Sequence, residues 1–163
     1  MHDQAFAWVA EHATRDEVTV LDLGGRNVNG TVRDLFPNAT KYTAVDIRPG
    51  DGVDVVADAS TWVPDMEYDV VVSTETFEHT PVWPDIVLTA HKACKTGGRV
   101  ILTMAGPGRP EHSAVDGGPL QPSEYYGNVD PEQLRSALIA AGFKNITVDY
   151  RVSPADTRAV AVK

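Results

Sequence analysis

The chain has 163 residues, of which 42% are hydrophobic, a formal net charge of −9 and one cysteine, Cys94. This length and composition predict one globular domain over residues 1–163, and the absence of long apolar runs argues against a membrane span. A lone cysteine without a recognisable signal peptide predicts a cytoplasmic protein, and the acidic balance argues against nucleic acid as the main substrate.

Helical spacing and apolar, β-branched runs alternate along the chain, which is typical of an α/β protein. The predicted helices span residues 2–15, about 32–36, 81–94 and 130–141. The predicted strands span residues 18–23, 41–46, 53–57, 68–73, 99–104, 143–150 and 157–162. Asp130 is expected to cap the last helix and Gly142 to end it, while Gly97 and Gly98 are expected to end the helix before them. We therefore predict a three-layer α/β/α sandwich whose last two strands form an antiparallel pair at the sheet edge.

Residues 105–128 are rich in glycine and proline and show no periodicity. Loops this long in compact domains are usually functional or disordered. His112 and the pair Tyr125 and Tyr126 lie in this segment and offer polar-tipped aromatic surface. We expect the loop to form a wall or lid of a binding site, with a disordered surface loop as the alternative.

Four successive predicted strands end at or beside an acidic residue: Asp22, Asp46, Asp58 and Glu75. The carboxyl ends of parallel strands share one edge of the sheet, and ligands bind along it. Buried acids there need a cationic or hydrogen-donating partner. A ligand with ribose hydroxyls, an exocyclic amine and a cationic head would supply such partners. The alternative is that some of these acids cap helices or turns, as residues 58–60 (Asp-Ala-Ser) could do.

Five segments in this order resemble one family. They are VLDLGG at residues 20–25, YTAVD at 42–46, VADA at 56–59, YDVVVSTE with FEH at 68–79, and KTGGRVI at 95–101. Together they resemble the class I S-adenosylmethionine-dependent methyltransferases, over roughly residues 18–104. The resemblance implies a Rossmann-like, mostly parallel seven-stranded sheet with an antiparallel C-terminal hairpin.

The resemblance also implies S-adenosylmethionine as the cofactor and a task for each matched residue. Gly24 and Gly25 would let its methionine part lie on the backbone, and Asp22 would hold its amino group. Asp46 would accept from the ribose hydroxyls, and Asp58 from the adenine amine. The full set implied to bind the cofactor is Asp22, Leu23, Gly24, Gly25, Arg26, Asn29, Asp46, Ile47, Asp58, Ala59, Thr74 and Glu75.

The glycine motif departs from the family pattern in one respect. Arg26 and Val28 stand where the second and third glycines of G-x-G-x-G are usual. A wider turn is therefore expected, in which Asn27, Asn29 or backbone amides replace the usual contacts. Arg26 could reach the cofactor carboxylate or remain a solvated loop residue.

Two other functions compete with an active methyltransferase. A dinucleotide dehydrogenase would require G-x-G-x-x-G, which is absent, and Asp22 would repel a pyrophosphate. The altered glycine turn leaves open a non-catalytic module that binds S-adenosylmethionine and serves as an interaction subunit.

His79 and His112 are the candidate general bases for methyl transfer, although each could instead have a purely structural role. No metal site is expected, because Glu75, Glu78 and His79 crowd into one turn without a clear partner elsewhere in the sequence. The methyl acceptor is expected to be a small molecule or a group linked to a macromolecule. Its cleft would be covered by the loop, or by a second subunit in a homo-oligomer.

Overall fold

A computed structural model describes residues 2–163, which form three α-helices and seven β-strands. The helices are α1 (Asp3–His12), α2 (Trp83–Ala93) and α3 (Pro131–Ala141). The strands are β1 (Val18–Leu23), β2 (Ala39–Asp46), β3 (Val55–Val56), β4 (Tyr68–Thr74), β5 (Cys94–Ala105), β6 (Lys144–Arg151) and β7 (Asp156–Val162). Single 3-10 turns occur at Arg33–Leu35 and Phe77–His79.

All seven strands join one sheet in the order β3-β2-β1-β4-β5-β7-β6. The first five are parallel, whereas β7 runs antiparallel to both β5 and β6. This confirms the predicted Rossmann-like sheet with its antiparallel C-terminal hairpin. The strand order reverses between β1 and β4, so the connections leave the sheet on opposite sides there and open a crevice at the strand ends.

Helices cover both faces of the sheet, which confirms the three-layer sandwich. Side chains alternate along each buried strand, so that Val20 of β1 packs with Trp8 and Val9 of α1. On the other face, Leu21 and Leu23 pack in the larger cluster beneath α2 and α3. Asp22 belongs by this alternation to the first face, yet it lies at the strand end, next to the crevice.

Helix α3 begins and ends as predicted. The Asp130 side chain accepts hydrogen bonds from the backbone N–H groups of Glu132 and Gln133. Gly142 ends the helix in the left-handed conformation, with φ 101°, and its N–H bonds to Ile139 O. Within residues 2–163, the segment from 106 to 130 contains no helix or strand, in agreement with the predicted loop.

The predicted helix at residues 32–36 is wrong. The chain makes only the 3-10 turn there, because Phe36 precedes Pro37 and therefore avoids the α region, with φ −121° and ψ 62°. The third strand is also shorter than predicted, with two residues instead of five.

Gly97 and Gly98 do not end a helix but lie inside β5. Helix α2 stops at Ala93, since Cys94 already has extended backbone. At Gly98 a Cβ would lie 2.8 Å from Asp69 O, and the pairing of β4 with β5 shifts register between Tyr68 and Val70. Close approach of two strands at an irregularity explains the glycine.

Candidate functional site

The carboxyl ends of β1, β2 and β4 open onto a cavity of about 800 Å³ at the point where the strand order reverses. The expected site residues that line it are Asp22, Gly24, Gly25, Arg26, Asn29, Asp46, Ile47, Asp58, Ala59, Thr74, Glu75, His79 and His112. Leu23 does not line it, because strand alternation turns its side chain into the core beneath α2. Its carbonyl oxygen already accepts a hydrogen bond from Ser73 Oγ at 2.6 Å.

Asp22 is a buried carboxylate with one oxygen left over. The side chain is 3% exposed, and Oδ2 accepts a hydrogen bond from Tyr42 Oη at 2.7 Å. Its Oδ1 has no hydrogen-bond partner among residues 2–163. Burial raises the pKa of Asp22 to about 6, against the opposing effects of the Tyr42 hydrogen bond and the nearby Arg33 charge. A cationic donor entering the cavity would satisfy this oxygen.

The two glycines after β1 are required by close packing inside the protein. Gly24 has φ 83°, and a Cβ there would lie 2.0 Å from Thr76 Oγ1. A Cβ on Gly25 would lie 2.8 Å from the Cβ of Ala44 and 2.9 Å from Asp22 Cγ. The N–H groups of both glycines donate to Val45 O. Both glycines also line the cavity, so a ligand there would meet backbone atoms at these two positions.

Asn27 holds the turn that follows the two glycines. Asn27 Oδ1 accepts from Gly30 N at 2.9 Å, and Nδ2 donates to Asp51 Oδ2 at 2.7 Å. Arg26 neither points freely into solvent nor stays within the turn, because its NH2 group donates to Ala114 O of the long loop at 2.7 Å. Arg26 thus ties the loop to the glycine turn, a role the sequence did not indicate.

The acids on the β2 side of the cavity differ in how much hydrogen-bonding capacity they retain. Asp46 accepts from the backbone N–H groups of Arg26 at 3.3 Å and Arg48 at 2.9 Å, which orient its carboxylate. Asp58 uses Oδ1 to accept from both the N–H and the hydroxyl of Ser60. That is the turn alternative foreseen for residues 58–60, and it leaves Oδ2 without a bond from the described residues. Ile47 also lines the cavity, and its apolar side chain is 65% exposed.

Glu75 lies in an ion-pair network that sequence reasoning missed. Its Oε2 is 3.7 Å from an Arg109 nitrogen and 3.5 Å from His2 Nε2. Arg109 also pairs with Asp156 at 2.6 Å, and His2 approaches the same carboxylate. Glu75 has a positive φ of 52°, which is uncommon outside glycine and is held here by its N–H bond to Thr103 O. No local pattern links residues 2, 75, 109 and 156, because the contacts join segments that are far apart in the sequence.

The two predicted catalytic histidines meet at the loop end of the cavity. The His79 and His112 rings are 5.0 Å apart, and Tyr126 packs against both, at 5.6 and 5.0 Å. Burial, with help from His112, lowers the pKa of His79 to about 4. His79 Nδ1 is buried and has no hydrogen-bond partner among residues 2–163.

Glu78 lies directly behind this pair and is fully buried. Neither of its carboxylate oxygens has a hydrogen-bond partner within residues 2–163. Burial, and then the Glu75 charge, raises the pKa of Glu78 well above its usual range. The backbone amides of Glu78 and Ala105 lie near the carboxylate and oppose the rise, but they do not reach hydrogen-bond geometry. Its backbone carbonyl anchors the loop by accepting from Gly127 N at 2.8 Å.

The sequence matches the family model of a methyltransferase domain over residues 1–148. The chain belongs to this family. It is a class I S-adenosylmethionine-dependent methyltransferase, and hence an enzyme. The family match sets aside the dehydrogenase alternative. No curated protein matches the sequence.

Solved structures share the fold of this methyltransferase at low sequence identity. Phosphoethanolamine N-methyltransferase 2 of Haemonchus contortus has a TM-score of 0.73 and 15% identity, over 99% of this chain and 52% of its own. An S-adenosylmethionine-dependent methyltransferase of Mesorhizobium loti has a TM-score of 0.69 and 14% identity, over 96% of each chain. The 1,6-didemethyltoxoflavin-N1-methyltransferase of Burkholderia thailandensis has a TM-score of 0.65 and 20% identity, over 99% of this chain and 77% of its own. This methyltransferase thus spans about half the length of the Haemonchus enzyme.

None of the helices within residues 2–163 is long and apolar enough to cross a membrane.

Proposed function

We propose that this enzyme transfers a methyl group from S-adenosylmethionine to a small organic acceptor, free or linked to a larger molecule, held between the strand ends and the loop of residues 106–130. The observation that supports this best is the buried Asp22 carboxylate. Asp22 lines the cavity together with further acids, and its Oδ1 has no hydrogen-bond partner among residues 2–163. A negative rim of this kind suits a donor that carries a sulfonium and an ammonium group.

The proposed cofactor contacts follow from the hydrogen-bond acceptor capacity that each carboxylate retains. Asp22 Oδ1 would accept from the cofactor ammonium, because this is the oxygen without a partner. Asp46 would accept from the ribose hydroxyls, since a carboxylate that already takes two backbone N–H groups still has lone pairs to offer. Asp58 Oδ2 would accept from the adenine amine, while Ile47 and Ala59 provide apolar contact for the ring.

When bound, S-adenosylmethionine supplies an electrophilic methyl group on a positively charged sulfur. The protein's task is to align the acceptor with that methyl group and to keep water out. His79 and His112 would line the acceptor end, because both line the cavity where the loop closes over it, and Tyr126 packs against both rings. Arg26 would keep the loop in place through its bond to Ala114 O.

A small acceptor is supported by the space available and by the small molecules bound in two structures of similar fold. The Haemonchus structure contains phosphomonomethylethanolamine and the Burkholderia structure contains 1,6-didemethyltoxoflavin, each a small molecule. The cavity of about 800 Å³ is in the range of small-ligand sites, and it must also hold the cofactor.

The cofactor site is tested by calorimetric titration of S-adenosylmethionine into Asp46→Ala. Losing two charge-assisted hydrogen bonds should weaken binding by about a hundredfold. Asp16→Ala is the matched control, because it removes the same charge from an exposed position outside the cavity. An unchanged dissociation constant for Asp46→Ala would contradict the assigned ribose site.

Catalysis is tested by measuring S-adenosylhomocysteine production with a panel of small amines, phenols and carboxylic acids. Turnover of at least one acceptor, reduced in His112→Ala with cofactor affinity unchanged, is the expected result. Tight cofactor binding without turnover of any small or carrier-linked acceptor would favour the interaction-module alternative instead.

A further inference from the structure

Glu78, His79 and His112 form a cluster in which one ligand atom of each residue lies within 4.8 Å of the other two. Glu78 and His79 come from the 3-10 turn after β4, and His112 comes from the long loop. From the sequence, a metal site was not expected here because the turn lacked a partner from elsewhere in the chain. The fold supplies that partner.

The cluster also contains buried polar atoms that lack hydrogen-bond partners. Both Glu78 oxygens and His79 Nδ1 have no hydrogen-bond partner among residues 2–163. A buried carboxylate without a partner is costly, and a bound cation relieves that cost. The ion pairs of the nearby Arg109 are made with Asp156 at 2.6 Å and with Glu75 at 3.7 Å.

A second group of the same kind, His2, Glu75 and Asp156, provides a useful contrast. There Arg109 lies among the carboxylates and contributes the positive charge itself. The His2 group therefore contains its own cation, although Asp156 Oδ2 has no hydrogen-bond partner among residues 2–163. By contrast, no Lys or Arg side chain among those residues forms an ion pair with Glu78.

We propose that Glu78, His79 and His112 bind one divalent metal ion of the first transition row at the acceptor end of the cavity. Two imidazoles and one carboxylate favour Mn²⁺, Fe²⁺, Co²⁺ or Zn²⁺ over Mg²⁺, which prefers an all-oxygen shell. Ligand atoms around such an ion lie about 3.3 Å apart, so the cluster must contract slightly on binding. His112 can make this movement because it is carried by a loop.

Three protein ligands leave coordination positions open, and His79 and His112 both line the cavity. An oxygen or nitrogen of the acceptor could occupy such a position and be held for methyl transfer. This role rests on the proposed function, and in it the two histidines act by ligating the metal, not as general bases. Binding of the metal itself does not depend on it.

The test is calorimetric titration of Mn²⁺, Co²⁺, Zn²⁺ and Mg²⁺ into the full chain after removal of metals with a chelator. We expect one equivalent of a transition metal to bind, with Mg²⁺ weaker, and Co²⁺ to give a visible absorption spectrum. His112→Ala should weaken binding by about a hundredfold or more, since even the loss of an outer-shell partner costs 10- to 100-fold. Glu78→Gln should do the same, with its melting curve showing that it folds.

Two control variants make the result specific. His91→Ala removes a histidine on α2 outside the cluster, and His2→Ala alters the ion-pair network; both should bind metal as the wild type does. The absence of saturable binding below about 1 mM metal, or binding unchanged in His112→Ala, would overturn the proposal. So would loss of binding in His2→Ala.

These titrations contain no S-adenosylmethionine, so their failure would leave the cofactor proposal standing. Conversely, an unchanged cofactor affinity in Asp46→Ala would refute the ribose site and leave the metal site standing.

Discussion

Substituting Asp22 by Asn should change how the stability of the cofactor-free enzyme depends on pH. Burial raises the pKa of Asp22 from 3.8 to about 6 in the folded protein. A raised carboxyl pKa means that the folded state binds more protons than the unfolded state between these values. The contribution of Asp22 to stability is therefore fully present below pH 3.8 and is lost as the pH rises through 6.

The magnitude follows from this pKa difference. Over the whole window a shift of about two pKa units corresponds to roughly 3 kcal/mol. Between pH 5 and pH 8, the wild type should lose about 1.4 kcal/mol of unfolding free energy through this group, and Asp22→Asn should not. Other acids titrate in both proteins, so the quantity to compare is the difference between wild type and variant at each pH.

Urea denaturation followed by tryptophan fluorescence measures this difference at several pH values. Tyr42→Phe is the companion variant. In the wild type, the hydrogen bond from Tyr42 to Asp22 Oδ2 lowers the pKa of Asp22. Tyr42→Phe removes this bond, so the pKa should rise further and the loss of unfolding free energy between pH 5 and pH 8 should become larger. A constant difference between wild type and Asp22→Asn from pH 5 to pH 8 would refute a raised Asp22 pKa, and with it the description of this carboxylate as buried and under-satisfied.

Three further outcomes are expected. Gly24→Ala should lower the free energy of unfolding by about 2–4 kcal/mol, because the new Cβ overlaps Thr76 and the φ of 83° disfavours alanine. Combining it with Thr76→Ala should recover part of this loss. An equal loss with and without Thr76→Ala would contradict the overlap. Arg26→Ala should speed proteolytic cleavage of the 106–130 loop about tenfold or more by removing a charged hydrogen bond, and an unchanged cleavage rate would show that Arg26 does not hold it. Cys94 is fully buried with its pKa raised to about 11 by burial, so a thiol reagent at pH 8 should label it only as the protein unfolds; rapid labelling of the native enzyme would contradict its placement.

Local pattern was sufficient for the sheet and for the general position of the site. Apolar, β-branched runs identified all seven strands, and the acids at their ends pointed to one edge, because the carboxyl ends of parallel strands lie together. Helix α3, capped by Asp130 and Gly142, was predicted equally well, since capping side chains and left-handed glycines act over three or four residues.

Local pattern failed where a neighbouring residue or another strand decided the outcome. Pro37 reduced a predicted helix to a 3-10 turn by restricting Phe36. The glycines at 97 and 98 followed helix-ending rules in sequence but serve a crowded strand pair in the structure.

The sequence by itself determined the fold, the family and the edge of the sheet where the cavity lies, because these depend on periodicity and on the fixed geometry of a parallel sheet. Only the tertiary structure decided which side chains meet. Arg109 reaches Asp156 across 47 positions, and His112 comes to within ring contact of His79, because the loop closes over the strand ends. Which buried groups find partners and which, like Glu78, do not is a property of that closure, and no spacing along the chain encodes it.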